Sequence, residues 1–465
     1  MKKIIALLFT LATVFTVMGQ DVTGQWNGLL KVQGTQLRIV FHITKTDTGF
    51  SSTMDSPDQG AKGIPVTSTV FKNPKLKLEV KNARIEYEGE LIKKTIEGTF
   101  KQGGLALPLK LTRDTIEKTV LKRFQEPVKP YPYYTEEITF PNPKANITLS
   151  GTLTLPTKEE HYPTVIMITG SGPQNRDEEL MGHKPFLVIA DYLTRNGIAV
   201  LRYDDRGTAQ STGDFKTATS ADFATDVESA IAYLITRKEI DKNEIGLIGH
   251  SEGGMIAPMV AAKSKDVHFI VLLAGTGLRG DKVLLLQQEA IAQATGVPAV
   301  QIQKARAISD KIFQMVLTSA SSEKLETDLT HYFRQVLKDS FDAQIPAGMT
   351  KDQYINFQVS QFTSPWMHYF LKYDPAITLE KVTCPVLAVN GEKDVQVAPK
   401  ENLSAIRAAL EKGGNKNVTI KEFPNLNHLF QESKTGLPSE YVTIEETFSS
   451  IVSDTITKWI EQHVK

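Results

Sequence analysis

The chain of 465 residues is too long for one ordinary hydrophobic core, so two or three domains are expected. With 41% hydrophobic and 23% charged residues, it has the composition of a globular protein. The 53 Lys and Arg residues balance the 53 Asp and Glu residues, and no long basic stripe is present, which argues against a nucleic-acid partner.

The first twenty residues, MKKIIALLFTLATVFTVMGQ, begin with two lysines and continue as an uncharged apolar stretch from Ile4 to Met18. Val17 and Gly19 are small enough to precede a cleavage site. The pattern predicts a signal peptide over residues 1–19 and export to the periplasm or the extracellular space. An uncleaved membrane anchor is the alternative, but it would need about 20 apolar residues. No later segment is long and apolar enough to span a bilayer.

Residues 21–125 are predicted to form a small antiparallel β-barrel or sandwich. Runs such as LRIVFHITK and RIEYEGEL alternate with a period of two and are separated by Gly, Asn, Asp and Pro. No titratable residues show catalytic spacing there, and Trp26 and Phe41 are expected in the core. Binding of a glycan or a protein partner by this domain is an open alternative.

After a Pro- and Tyr-rich linker at residues 126–134, the pattern changes. Five short, almost wholly apolar runs, of which TVIMITG is the first and PVLAVNG the last, are the predicted strands, and segments of helical length separate the first four. Such strands are buried on both faces, which predicts an α/β fold with a mostly parallel sheet over residues 126–277 and 376–465. Residues 278–375 show helical periodicity and are predicted to be a helical cap inserted over the sheet.

The motif that indicates chemistry is IGLIGHSEGGM, residues 245–255. Gly-x-Ser-x-Gly occurs by chance in many chains, but here the serine follows a predicted strand and precedes a predicted helix. A direct strand-to-helix turn forces Ser251 to positive φ, and the neighbours Gly249 and Gly253 must lack side chains for the turn to close. We therefore predict Ser251 as a nucleophile. The only cysteine, Cys384, is expected to be a buried strand residue.

A serine hydroxyl needs a base to accept its proton. On a sheet of this kind the partners follow in the order serine, acid, histidine. His428 lies after the last predicted strand and is the predicted base, whereas the other histidines after Ser251 lie at a strand edge, in the cap or at the C-terminus. The loop GEKDVQV offers Asp394 as the acid, with Glu392 as the alternative.

Two backbone N–H groups should bind the oxyanion of the tetrahedral intermediate. Glu252, which follows the nucleophile, is expected to supply one. The loop SGPQNRD after the strand TVIMITG is expected to supply the other, from Ser171 or, as a close alternative, Gly172.

The segments GHSEGG, YDDRGTAQSTGDF, ITGSGPQNRD and CPVLAVNGEKDVQV occur in the order found in the α/β-hydrolase superfamily. Over residues 130–465 the chain resembles secreted bacterial EstD-like carboxylesterases of the serine-aminopeptidase-like branch. TGSG departs from the His-Gly start that is common in lipases. The resemblance implies structural roles for Asp205 and Arg206, and it relates the N-terminal β-domain to accessory domains of secreted hydrolases.

The predicted function is hydrolysis of short-chain carboxylic esters through an acyl-enzyme on Ser251, with a small-molecule ester as the partner. A peptidase of the same fold and a non-catalytic binding protein are the alternatives. Trp366, Tyr369 and Phe370 in the cap are predicted either to line the substrate pocket or to pack the returning chain. No metal-ligand motif is present, and no cofactor is expected.

Overall fold

The computed structural model describes residues 21–32, 35–59, 61–102, 105–117, 123–339, 345 and 350–464. The predicted signal peptide lies outside these residues. The chain divides into two compact units, and the boundary between them in the sequence lies near residue 119. Among the helices that the structure describes, none has the length and hydropathy that crossing a bilayer requires.

Nine strands form the N-terminal unit: β1 Gly24–Val32, β2 Thr35–Thr46, β3 Gly49–Ser56, β4 Ala61–Pro65, β5 Ser68–Lys72, β6 Lys75–Val80, β7 Ile85–Ile92, β8 Thr95–Gln102 and β9 Leu105–Thr112. They make one antiparallel sheet in the order β4-β3-β2-β1-β9-β8-β7-β6-β5. The Thr69 hydroxyl donates to the Ser52 hydroxyl at 2.9 Å, so the sheet curls until its two ends approach. The described strands thus form a half-barrel and not the alternative sandwich of two sheets.

Alternate side chains of these strands fill the inside of the curl, as period-two strands require. Trp26 and Phe41 are buried there, and the indole N–H of Trp26 donates to the Val22 carbonyl at 2.7 Å. A separate cavity of about 570 Å³ is lined by polar side chains that include Arg38, His42 and Asp55. Ligand binding by this unit stays a prediction.

Eight strands form the sheet of the second unit: β10 Tyr134–Asn142, β11 Ile147–Leu155, β12 Tyr162–Ile168, β13 Ala199–Tyr203, β14 Ile240–His250, β15 Phe269–Leu273, β16 Val386–Gly391 and β17 Val418–Phe423. Their order is β10-β11-β13-β12-β14-β15-β16-β17. β10 and β11 pair antiparallel with their neighbours, and the strands from β13 to β17 pair parallel.

Both faces of this sheet are covered. Along β12, Val165 and Met167 pack into one hydrophobic core, whereas Ile166 and Ile168 pack into the core on the opposite face. This double burial explains why the strands are apolar at successive positions. The helices outside the predicted cap are α1 Pro185–Arg195, α2 Ser220–Ile235, α3 Gly253–Ala261, α10 Pro399–Lys412 and α11 Ser450–Glu461.

Between β15 and β16 the described residues form six helices: α4 Gly280–Ala294, α5 Ala299–Thr318, α6 Ser322–Asp339, α7 Lys351–Thr363, α8 Pro365–Lys372 and α9 Pro375–Leu379. The last helix of the chain, α11, begins at Ser450. The amides of Thr447 and Phe448 donate to the Gln125 side chain, so they are not available to a helix. The α-helix therefore starts only after them.

We predict that Trp26→Ala destabilises the N-terminal unit by about 3–5 kcal/mol, because it leaves a large cavity and an unpaired Val22 carbonyl. Val70→Ala is the matched control, since Val70 is 43% exposed, and it should cost less than about 0.5 kcal/mol. Urea unfolding of the full chain measures the free energy of unfolding of both variants. Far-UV circular dichroism is the probe, because it does not depend on the fluorescence of Trp26. Equal effects of the two substitutions would contradict this account of the core.

Candidate active site

Ser251 lies at a tight turn at the carboxyl end of β14. Its φ angle is +53°, in the left-handed region that L-residues seldom adopt. Its own amide donates to the Leu273 carbonyl at 2.8 Å, and its carbonyl accepts from the Gly254 amide at 3.0 Å. α3 begins at Gly253. The chain thus passes from strand to helix through only two residues, Ser251 and Glu252.

The glycines on either side allow this turn for a steric reason. A Cβ on Gly249 would lie 2.0 Å from the Gly253 carbonyl oxygen, and a Cβ on Gly253 would lie 2.1 Å from the Ile168 carbonyl oxygen. Both distances are far below van der Waals contact, so a side chain at residue 249 would force α3 away from β14, and a side chain at residue 253 would force α3 away from the end of β12.

Asp394 and His428 meet in the neighbouring loops. The Asp394 Oδ2 atom lies 2.7 Å from His428 Nδ1, and both side chains are buried. Asp394 Oδ1 accepts from the backbone amides of Gln396 and Val397 at 2.7 and 2.9 Å, which fixes the carboxylate. Glu392 lies elsewhere and accepts from the Asn425 amide at 3.0 Å. Of the two predicted acids, the structure therefore brings Asp394 to the imidazole.

His250, the residue before Ser251, contacts His428. The rings of His250 and His428 are 4.8 Å apart between centroids, and His250 Nε2 donates to the His428 carbonyl at 3.0 Å. Among the described residues, neither the Ser251 hydroxyl nor His428 Nε2 has a hydrogen-bond partner. In unliganded hydrolases the bond between nucleophile and base often forms only with substrate.

The loop that contains Ser171 and Gly172 passes beside the nucleophile. A Cβ placed on Gly170 would lie 3.3 Å from the Cβ of Ser251. The backbone N–H groups of Ser171, Gly172 and Glu252 have no acceptor within the described part of the chain. They are therefore available as hydrogen-bond donors.

The Glu252 side chain points away from this space and is fully buried. Its Oε1 atom accepts from the Ser220 hydroxyl at 2.5 Å and from the indole N–H of Trp366 at 2.7 Å. Burial raises the pKa of Glu252, and the two hydrogen bonds only partly oppose this. Trp366, on α8 of the cap, thus contacts the residue that follows the nucleophile.

Asp205 and Arg206 have structural contacts, as the resemblance implies. Asp205 accepts from the Thr169 hydroxyl at 2.7 Å and from the Gln174 amide at 2.9 Å, and both donors flank the Ser171 loop. Burial raises the pKa of Asp205 to about 8. Arg206 makes a bidentate pair with Asp226.

Phe370 and Tyr369, the two other predicted pocket residues, have different surroundings, and a role for them in the substrate pocket stays a prediction. Phe370 is buried in the core and stacks on Trp366 at 5.1 Å. Tyr369 lines a cavity of about 590 Å³ between α8 and α9, and the described residues around that cavity do not include Ser251 or His428. The sequence pattern shows that these aromatics are regularly spaced, but it does not show which side of α8 faces the site.

Sequence reasoning overlooked Glu178 and His250, which form a buried pair next to Ser251. His250 Nδ1 lies 2.9 Å from Glu178 Oε1. The available signal was a histidine at the end of an otherwise apolar, buried strand, because a buried titratable group requires a polar partner.

The chain matches the model of a known protein family. The family described as serine aminopeptidase, S33 (Hydrolase_4) matches residues 184–434, which is just over half of the chain. The chain belongs to this family. Its fold is therefore the α/β-hydrolase fold, and the matched residues include Ser251, Asp394 and His428.

Individual relatives are more distant. The esterase EstD of Thermotoga maritima is 25% identical over 313 residues, which is 67% of this chain and 65% of the relative. The chain thus spans less than two thirds of that relative. The α/β hydrolase GrgF from Penicillium sp. sh18 is 17% identical, with a TM-score of 0.45 over 71% of this chain and 99% of that chain. An esterase of Pyrococcus furiosus is 14% identical, with a TM-score of 0.42 over 72% and 94%.

The positive φ of Ser251 predicts a measurable strain. Ser251→Gly and Ser251→Ala both remove the hydroxyl, but only glycine adopts this backbone without steric cost. We expect the glycine variant to be more stable than the alanine variant by about 1 kcal/mol. Urea unfolding of the full chain measures the difference.

The control is Ala257→Gly in the interior of α3, where glycine should instead cost about 1 kcal/mol relative to alanine. If Ser251→Gly is no more stable than Ser251→Ala, the turn at residue 251 is unstrained and this description of the nucleophile loop is wrong.

Proposed function

We propose that the protein is a serine esterase that hydrolyses short-chain carboxylic esters, with Ser251 as nucleophile, His428 as general base and acid, and Asp394 as the carboxylate that orients His428. The observation that supports this most strongly is the 2.7 Å contact between His428 and Asp394 in loops beside the strained turn of Ser251. The proposed oxyanion donors are the amides of Glu252 and Ser171, with Gly172 as the alternative.

In the first half-reaction, His428 Nε2 accepts the proton of the Ser251 hydroxyl while Oγ attacks the ester carbonyl carbon. The carbonyl π electrons move to oxygen, and the free amides of Glu252 and Ser171 stabilise the resulting anion. When the carbonyl re-forms, the bond to the alkoxy group breaks, and the His428 imidazolium protonates the leaving alcohol. Asp394 stabilises the imidazolium and holds its tautomer throughout.

In the second half-reaction, water takes the place of the alcohol. His428 accepts a proton from the water molecule while the water oxygen attacks the carbonyl carbon of the acyl-enzyme. A second tetrahedral anion then forms and accepts hydrogen bonds from the same two amides. Its collapse breaks the bond to Ser251 Oγ, His428 returns the proton to the serine, and the carboxylic acid leaves. The protein supplies a proton acceptor, an anion site and fixed geometry at each step.

An aminopeptidase of the same family is the second candidate, and the family description favours it. Such an enzyme needs a carboxylate near the nucleophile that can bind a free α-ammonium group. Three acidic side chains lie around the nucleophile loop, but Glu178, Asp205 and Glu252 are all buried and hydrogen-bonded within the protein. This arrangement, together with the esterase name of the relative EstD, supports the ester substrate.

The aromatic side chains of the predicted cap support the proposal that the acyl chain of the substrate is short. Trp366 contacts Glu252 and is stacked on the buried Phe370, so a rigid aromatic pair lies next to the catalytic turn. A wall of this kind limits the length of an acyl group, because pocket depth sets that limit.

We expect p-nitrophenyl acetate and butyrate to be hydrolysed with kcat/KM at least about 100-fold above that for aminoacyl p-nitroanilides, and p-nitrophenyl palmitate to be a poor substrate. Spectrophotometric initial rates with the full chain measure this, and Ser251→Ala serves as the blank. Faster cleavage of the anilides would favour the aminopeptidase. Ester hydrolysis that persists in Ser251→Ala would show that Ser251 is not the nucleophile.

Asp394→Asn should lower kcat by about 10³–10⁴-fold with little loss of folding stability. The amide oxygen can still accept from the amides of Gln396 and Val397, but its NH₂ group faces His428 Nδ1 and favours the wrong tautomer. Glu392→Gln is the matched control, and it should retain activity within about twofold because Glu392 binds only the Asn425 amide. If both variants lose activity equally, or if only Glu392→Gln does, Asp394 is not the acid.

A further inference from the structure

A second histidine–carboxylate pair lies beneath the proposed catalytic residues. The Glu178 and His250 side chains are 4% and 8% exposed, and His250 Nδ1 is 2.9 Å from Glu178 Oε1. Neither residue has a chemical step in the proposed mechanism. A buried ion pair is costly to desolvate and is not by itself evidence of stabilisation, so its position needs another explanation.

The hydrogen bonds of His250 define its protonation. The Nε2 atom is 3.0 Å from the His428 carbonyl oxygen, which only accepts, so Nε2 carries a proton. The Glu178 oxygen facing Nδ1 also accepts from the Gly170 amide at 2.8 Å, as a carboxylate does. Nε2 thus donates to a carbonyl, and Nδ1 faces a carboxyl oxygen that already accepts another hydrogen bond, which is the arrangement expected of an imidazolium paired with a carboxylate.

The electrostatics agree with this arrangement. Burial alone lowers the pKa of His250, but the charge and hydrogen bond of Glu178, the bond to the His428 carbonyl and the charge of Asp394 together raise it above its ordinary value. The charged form donates in both bonds at once.

Each bond of the pair reaches a different segment of the site. Glu178 binds the amide of Gly170, which immediately precedes the proposed oxyanion donor Ser171. His250 binds the carbonyl of His428, the proposed base, and is joined to Ser251 by a peptide bond. One buried ion pair thus connects the segments that contain the nucleophile, the base and the oxyanion donor.

We propose that Glu178 and His250 are positioning residues, whose ion pair holds the Gly170–Ser171 loop and the His428 loop in register with Ser251. This inference rests on the proposed function. Small displacements of catalytic groups are costly, since about 1 Å can reduce the rate about 100-fold. The pair acts on the transition state and not on substrate binding, so its loss should change kcat and leave KM nearly unchanged.

The test is Glu178→Gln in the full chain. Glutamine is isosteric, but it removes the negative charge, so the buried imidazolium loses its proton and the contact with Nδ1 is weakened. We expect kcat for p-nitrophenyl acetate to fall between about tenfold and 100-fold with KM within about threefold. Rates are normalised to the sites labelled by a fluorophosphonate, which counts folded, reactive enzyme.

The matched control is Glu239→Gln. Glu239 is also buried and paired, with Arg237, but it lies just before β14 at the end of the strand opposite to His250. It should lose less than twofold in normalised kcat. An equal fall of kcat in both variants, or a normal kcat in Glu178→Gln, would overturn the positioning role. The proposed function would still be supported in that case if the fluorophosphonate labels the unmodified protein. Absence of labelling in the unmodified protein would instead refute the proposed function.

A measurement without any substitution keeps the inference testable if Glu178→Gln does not fold. In ¹⁵N-histidine NMR spectra of the unmodified protein at pH 7, His250 should show both ring nitrogens protonated, with ring protons protected from exchange. Assignment by His250→Gln identifies the signal. A neutral His250 at pH 7 would overturn the ion pair and with it the proposed positioning role.

Discussion

The site depends on one steric constraint, the close crossing of β14 and α3 at Ser251. Because no Cβ is present at residues 249 and 253, the helix backbone approaches the strand within distances that any side chain would block. In this turn Ser251 is at positive φ. Within the described residues the amide of Glu252 has no acceptor, so the proposed nucleophile and one proposed anion donor arise from a single turn.

The parallel sheet brings the remaining groups to that turn. β12, β14, β16 and β17 run in the same direction, so the loops with Ser171, Ser251, Asp394 and His428 all leave the same edge. These loops are held by buried polar contacts and not by apolar packing alone: Asp394 by two amides, and the Ser171 loop by Asp205 and Glu178. Such contacts are directional and therefore specify positions more narrowly than hydrophobic packing does.

Much of this arrangement could be predicted from sequence, because it follows from local rules. The apolar runs predicted buried parallel strands, and the Gly-x-Ser-x-Gly pattern predicted a strained turn whose φ the structure shows. The order of serine, acid and histidine along a parallel sheet singled out His428 and a loop with two acids. It did not decide between Asp394 and Glu392 on physical grounds, because that choice depends on which carboxylate the loop turns inwards.

Other features were beyond sequence reasoning because they depend on contacts between distant segments. Glu178 and His250 are 72 residues apart, and nothing local to either indicates the other. The direction of the α8 side chains decides that Trp366 contacts Glu252 and that Tyr369 lines the cavity between α8 and α9. The start of α11 depends on Gln125, more than 300 residues earlier, which binds the amides of Thr447 and Phe448.

The most direct test of the central claim is a crystal structure of the protein after reaction with a fluorophosphonate. The account predicts a phosphorus bond to Ser251 Oγ, with the phosphoryl oxygen about 3 Å from the amides of Glu252 and Ser171 and with His428 Nε2 facing the adduct. An adduct on another residue, or a phosphoryl oxygen directed away from both amides, would contradict it.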